Sequence, residues 1–494
     1  MNIAKPQPIL RFLPQLRDIL FLAIFLVVLA LGLQMLNMDG DLPRHLLTGR
    51  VILETKSIPD TELFVYPYEG RAYVSHEWLA DVIFYLIQNT FGLAGLVLLS
   101  AFLLAATFTV IYSYASTRHD ARLPVLILVL WGAGATSLNW VVRPHLISMC
   151  LLALWIIWLD KTARGEKFPL WIFFVTMALW SNLHGEFIAG MLATLAYAAG
   201  WTMEFLFRRI ETDPKTGVRL WTVFLGSGLA SLLNPATYHP YTTFIGFVNN
   251  SYLMSRMSEA NPPDFSRPEF FVLLGLLAVS ILLLALNPKR LSTGQAFLLT
   301  GFTAMSLIAA RNVHLYGIVA PFVLAETVHG LTHPKGVRRV ESVLKNVEGQ
   351  VKSAWWPVVT VLVFGALVLG TKVRNIYSFD PIFFPVKAVA WLEEHPQDGR
   401  MFNDLNWGGY LAWRLWPEQK VFADSMSDVT GEITLNYETA LIVADGWETV
   451  LENYNVAWTI LPPSAPLTVK LRETGWTVLY ENTTAAILRR PLPK

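Results

Sequence analysis

Cysteine is all but missing from this chain: Cys150 is its only one. A disulfide framework and any multi-cysteine metal or iron–sulfur site are thereby excluded. Charge is scarce too, at 15% of residues, where a soluble domain carries roughly 25%. Neither sign dominates, since 38 Lys and Arg face 37 Asp and Glu for a net charge of +1. That balance argues against nucleic acid as a partner. The shortage of charge rules out both disorder and a wholly soluble protein of 494 residues. No internal repeat and no low-complexity linker is present. What the chain has in quantity is apolar surface: 54% of residues are hydrophobic and mean hydropathy is +0.44. The composition is that of a polytopic membrane protein.

A helix needs about 20 mostly apolar residues to cross the hydrocarbon, because its backbone must pair internally. Apolar runs near 19–36, 92–115, 123–140, 145–160, 168–182, 185–207, 218–234, 268–287, 293–310, 313–331 and 355–371 predict eleven spans. The segment 77–90 is short and polar and reads as an amphipathic helix lying in the interface. The N-terminus and the loops near 116–122, 161–167, 208–219, 288–292 and 332–354 then share one side. They hold half of the 38 Lys and Arg residues, against eight in the opposite loops. By the positive-inside rule the basic side is cytoplasmic. Residues 1–371 thus form a transmembrane domain whose long first outer loop covers 37–76. Residues 372–494 read as a small soluble α/β domain on the non-cytoplasmic side, with β-like runs near 400–403, 420–423, 456–461 and 476–489.

Ionisable groups at a membrane boundary are costly, which makes them functional candidates. In this topology they gather on the outer face: Asp39, Asp41 and His45 in the first loop, His76 and Glu77 at its end, and Arg143 and His145 around Pro144. Asn182, His184 and Glu186 surround Gly185, Glu259 lies in the fourth outer loop, and Arg311, Asn312 and His314 lie in the fifth. Each has a plainer reading. The aspartates suit a solvated turn, His76 and Glu77 suit a helix N-terminus, and the arginines suit headgroup anchors. The turn NLHGEF resists this, since the two spans that abut it leave almost no room for a solvated loop. Cys150 reads as packing. Asn249 and Asn482 match a glycosylation pattern that matters only in a eukaryotic secretory setting.

The run DGDLPRHLLTGRVILETKSIPDTELFVYPYEGRAYVSHEWLADV resembles the first loop of a bacterial group of GT-C glycosyltransferase-like proteins, distant relatives of protein O-mannosyltransferases and aminoarabinose transferases. The similarity continues in order through VVRPHLIS, NLHGEFIAG, LLNP, AARNVHLY, NDLNWGGYLAWRL and VFADSMSD. It implies a GT-C-like helical membrane domain and transfer of a sugar from a polyprenyl-phosphate donor. The acceptor is a glycan, lipid or protein outside the bacterial cytoplasmic membrane.

On that resemblance Asp41, then Asp39, is the expected catalytic base. Arg143 and Arg311 are expected to clamp the donor phosphate. His45, His76, Glu77, His145, His184, Glu186 and Glu259 are expected to orient substrate or to help hold a metal. A hard divalent ion, Mg or Mn, would draw on Asp39, Asp41, His184 and Glu186. Two departures stand out: Pro43 and Arg44 precede the loop histidine, and Asp424 is followed by Ser425 and Met426 where relatives have an arginine. The first bears on acceptor fit and the second argues against a catalytic role for the tail. Two other classes compete, a non-catalytic assembly protein of the same fold and a lipid-linked glycan transporter. The near absence of mid-span charge counts against the transporter.

Overall fold

The computed structural model describes residues 12–207, 213–287, 291–328, 335–351, 355–370, 372–426 and 432–491. Lys5 and Arg11 of the basic leader, and parts of the predicted loops near 208–219, 288–292 and 332–354, lie outside them. The helices run α1 (Leu16–Asn37), α2 (Asp41–Thr55), α3 (Trp78–Phe91), α4 (Leu93–Arg118), α5 (Arg122–Thr136), α6 (His145–Ala163), α7 (Trp171–Leu183) and α8 (Phe187–Leu206). They continue as α9 (Pro214–Ala230), α10 (His239–Asn249), α11 (Ser251–Arg256), α12 (Phe271–Leu286), α13 (Thr293–Ile308), α14 (Val313–Val328), α15 (Lys335–Gln350) and α16 (Trp356–Gly370).

Each of the eleven predicted spans falls on one helix. Among the described residues, five stretches are long and apolar enough to cross a membrane: Leu16–Asn37, Leu93–Arg118, Arg122–Asn139, His145–Ala163 and Pro268–Leu286. Trp171–Leu183, Thr293–Ile308 and Trp356–Gly370 are apolar but shorter. The other three, α8, α9 and α14, are shorter or less apolar. Of these α14 is buried along nearly its whole length, so lipid does not dictate its composition. It packs on α5 where Gly132 meets Gly317. A Cβ on Gly132 would stand 2.3 Å from the Gly317 carbonyl oxygen, so small residues here let two backbones touch.

The first loop differs from expectation. Residues 41–55 are a helix, α2, started where the Asp39 carboxylate accepts the Asp41 backbone N–H at 3.2 Å. Its Leu42, Leu46, Leu47 and Val51 are buried, which an open loop would not achieve. Segment 77–90 folds as α3, packed on α2.

Beyond α16 come α17 (Val386–Glu394), β1 (Arg400–Asn403), α18 (Gly408–Leu415), α19 (Glu432–Leu441), α20 (Trp447–Asn453), β2 (Val456–Leu461), α21 (Pro466–Glu473), β3 (Thr477–Glu481) and β4 (Ala486–Arg489). The sheet order is β1-β2-β4-β3, with β1 parallel to β2 and the other pairs antiparallel. The β-like run at 420–423 does not join this sheet. Val421 bridges Val65 of the first loop instead, the Tyr66 N–H donating to Val421 O at 3.0 Å and the Val421 N–H to Phe64 O at 2.9 Å. The loop and the tail are therefore stitched backbone to backbone.

Candidate functional site

Two glycines, Gly40 and Gly409, bring the tail onto the start of α2, and Gly408 packs the tail on itself. A Cβ on Gly40 would meet Asn406 O at 2.4 Å, and one on Gly409 would meet Gly40 O at 2.6 Å. A Cβ on Gly408 would strike Ala423 O at 2.1 Å. Glycine at these crossings lets the turn at 405–409 press against the acidic end of α2. Arg44, one turn along, is 1% exposed and fixes the contact. Its Nη2 donates to Glu62 Oε1 and Oε2 at 3.1 and 2.8 Å, its Nη1 donates to Asp424 Oδ2 at 2.9 Å, and its guanidinium lies 4.1 Å from the Phe64 ring centre. Arg44, expected to alter acceptor fit, thus ties the loop to the tail.

Around this anchor a first cluster forms. Val142 N–H donates to Met35 O at 3.2 Å, which sets the turn before α6 against the end of α1 and aims Arg143 at Asp39 and Asp41. Arg143 Nε contacts Asp39 Oδ2, and Nη2 lies 2.5 Å from Asp39 Oδ1 and also contacts Asp41 Oδ2. Its Nη1 faces Glu259 Oε2 at 4.0 Å. Glu259 in turn reaches Arg311 at 3.8 Å, their loops joined by Ala310 N–H donating to Asn261 O at 2.9 Å. Burial and the neighbouring Asp41 push the Asp39 carboxyl up to about 6, against the pull of Arg143. The remaining Asp41 oxygen, Oδ1, accepts from the Ser425 hydroxyl. The tail therefore reaches the first-choice base itself, contrary to the reading that set it apart; Ser427 and Asp428 of that motif lie outside the described residues.

A second cluster starts one turn further along α2, at His45. His45 Nδ1 sits 2.7 Å from Asp81 Oδ1 on α3. Burial disfavours a charged ring, but Asp81 and Glu77 override it and raise His45 to about 9. Burial also pushes the Asp81 carboxyl up, against the pull of His45. Glu77 Oε2 lies 3.7 Å from His45 Nε2, and Glu77 Oε1 lies 3.5 Å from His76 Nε2 and 3.3 Å from His184 Nε2. Although burial opposes its charge, these rings hold Glu77 well below the usual carboxylate range.

The tautomer of His184 follows from its partners. Trp180 Nε1 donates to Ser148 Oγ at 2.7 Å, and that hydroxyl donates to His184 Nδ1 at 2.9 Å. The Glu186 N–H also points at Nδ1, so the ring proton sits on Nε2, facing Glu77. Burial lowers the His184 pKa, in keeping with a neutral ring. Glu186 Oε1 is 2.9 Å from His314 Nε2, and the His145 ring lies between His314 and His184, 5.5 and 6.3 Å away. Beside this cluster Trp78 Nε1 donates to Asn182 Oδ1 at 2.7 Å, and Asn182 Nδ2 donates to Leu233 O at 2.8 Å. An apolar cavity of about 640 Å³ opens there between α3, α7 and the end of α9, lined by Trp78, Leu79, Leu179, Leu232, Leu233 and Asn234.

The expected site residues therefore fall into two adjoining groups. Asp39, Asp41, Arg143, Glu259 and Arg311 make one; His45, His76, Glu77, His145, His184 and Glu186 make the other, with Asp41 and His45 four residues apart on one face of α2. Asp81, Glu62 and Ser425 had drawn no notice as site residues in the sequence. Asp81 was hidden inside an amphipathic helix, where an acid reads as its solvated face. Among the described residues, no set of three or more His, Cys, Asp or Glu side chains is arranged to hold a metal ion.

No protein-family model matches this chain, and no curated protein does. Among solved structures, the apo crystal structure of the Archaeoglobus fulgidus oligosaccharyltransferase matches with a TM-score of 0.54 at 12% sequence identity. The match covers 89% of this chain and 69% of that one. At that identity the likeness is one of fold: this is a helical multi-pass membrane protein built like an oligosaccharyltransferase.

Proposed function

We propose that the protein is a membrane glycosyltransferase of GT-C type, moving a sugar from a polyprenyl-phosphate-linked donor to an acceptor outside the bacterial cytoplasmic membrane. The observation that carries this reading is the state of Asp41. One of its oxygens is fixed by Arg143 and the other accepts a hydrogen bond from a hydroxyl, that of Ser425. A general base must be placed so before it can act. In the reaction Asp41 takes the proton of the acceptor hydroxyl or amine, and the acceptor atom bonds to the anomeric carbon. The bond from that carbon to the phosphate oxygen breaks, and polyprenyl phosphate leaves.

Arg311 is the better placed phosphate ligand of the two arginines. Its side chain is 44% exposed and makes one 3.8 Å ion-pair contact, whereas Arg143 is 25% exposed and engaged by two aspartates. The Glu77–His184–Glu186 group offers fixed donors and acceptors to sugar hydroxyls. The cavity beside Asn182 suits the apolar chain of the donor. With the basic loops cytoplasmic, both clusters and the tail face outward. Replacing Asp41 by Asn tests the reading: transfer is lost while the fold persists, and full activity in that variant removes Asp41 as the base.

A further inference from the structure

The GT-C resemblance brings with it the expectation of a divalent metal ion, with Asp39, Asp41, His184 and Glu186 as ligands. The side chains present do not fit that ion. His184 and Glu186 pair with Glu77 and His314 in the second cluster. The aspartates converge on Arg143, whose Nε and Nη2 take both oxygens of Asp39 and Oδ2 of Asp41 while Nη1 faces Glu259. A magnesium ion binds oxygens at about 2.0–2.1 Å in an octahedron. Three of the four aspartate oxygens that would ligate it are already in contact with guanidinium nitrogens and the fourth, Asp41 Oδ1, accepts from Ser425, so ion and guanidinium compete for one position. Charge leads to the same place. Three carboxylates, Asp39, Asp41 and Glu259, face two guanidiniums, Arg143 and Arg311, which leaves little negative charge to recruit a dication.

We propose that Arg143 is the resident cation of this cluster, standing where a divalent metal ion would stand, so that the site binds none. The proposal deepens the transferase reading and rests on it for the cluster's purpose. Unlike an ion, a guanidinium on the turn before α6 cannot be lost to chelation. It also holds its carboxylates by directed hydrogen bonds, leaving Asp41 Oδ1 turned away from it and toward the Ser425 hydroxyl.

The test is the binding of Mn²⁺ alone to the purified full-length protein, followed by the electron paramagnetic resonance of the free ion. The wild type shows no saturable site. Arg143→Gln, which removes the charge and frees the carboxylates, gains one, with affinity raised by at least about tenfold. Asp39→Asn in that background removes it again, and Arg143→Lys, which keeps a cation, gains none. A saturable site in the wild type that Asp39→Asn abolishes overturns the proposal, as does a folded Arg143→Gln protein that gains no site. If Arg143→Gln does not fold, the wild type and Asp39→Asn titrations decide alone. Because the readout needs no substrate, a protein that transfers no sugar sinks the transferase reading and leaves this result standing.

Discussion

In the proposed transfer Asp39 and Asp41 act as neighbours, and the pH behaviour expected of the site follows from how Asp39 is held. Burial and mutual repulsion raise Asp39 to about 6. As pH falls through that value Asp39 takes up a proton, so transfer should decline on the acid side with an apparent midpoint near 6. Asp39→Asn should abolish that limb, measured as kcat/KM against pH. His45 works in the opposite sense on stability. Its folded pKa of about 9 lies above the unfolded value of ~6.5, so its contribution is complete below ~6.5 and is lost as pH rises through 9. Thermal midpoints should fall over that window, and Asp81→Asn should flatten the slope. The individual site residues were legible because acids, imidazoles and arginines are conspicuous at the ends of apolar runs. Their partners were not: Glu62 pairs with Arg44 18 residues away, and Asp424 does so across 380.

At the scale of elements, the joint between α2 and the tail decides whether the site is assembled. Arg44, Glu62 and Asp424 form a buried ion triad, and removing one partner of such a group costs about 3–5 kcal/mol because it strands the others. Asp424→Asn should therefore destabilise the protein on that order in chemical denaturation, while Arg44→Met together with neutral partners should cost far less. Gly40→Val should part the tail from α2 by pushing a side chain into Asn406, read as faster proteolysis between residues 372 and 432. The sequence showed β1 and β2 by their apolar runs, read β3 and β4 as one run at 476–489, and put a strand at 420–423. Those residues are apolar because they are buried, and what buries them is the first loop. Period and propensity report burial without naming the neighbour. The same limit hid α2, whose Pro43 and Gly49 look like loop residues until its apolar face is packed.

For the whole molecule, the proposed topology puts the basic loops and the two clusters on opposite sides of one membrane, with the tail packed on the first loop. The lone Cys150 makes this easy to examine. In a Cys150→Ser background, a cysteine at Lys470 should react with a membrane-impermeant thiol reagent on intact cells, and one at Lys345 should react only after lysis. The reverse pattern would invert the topology. The long apolar helices were legible because a helix in lipid satisfies its own backbone, so sequence and structure obey one constraint. Helix α14 shows where that ends, since a helix buried by its neighbours answers to packing instead. Under the proposed function Asp41 drives glycosyl transfer from a lipid-linked donor. Its most direct test is to reconstitute the protein with a bacterial lipid extract and follow polyprenyl-phosphate-linked sugars by mass spectrometry. The wild type should consume such a lipid and release polyprenyl phosphate, while Asp41→Asn should leave it intact. Consumption at equal rates in both proteins, or in neither, would contradict it.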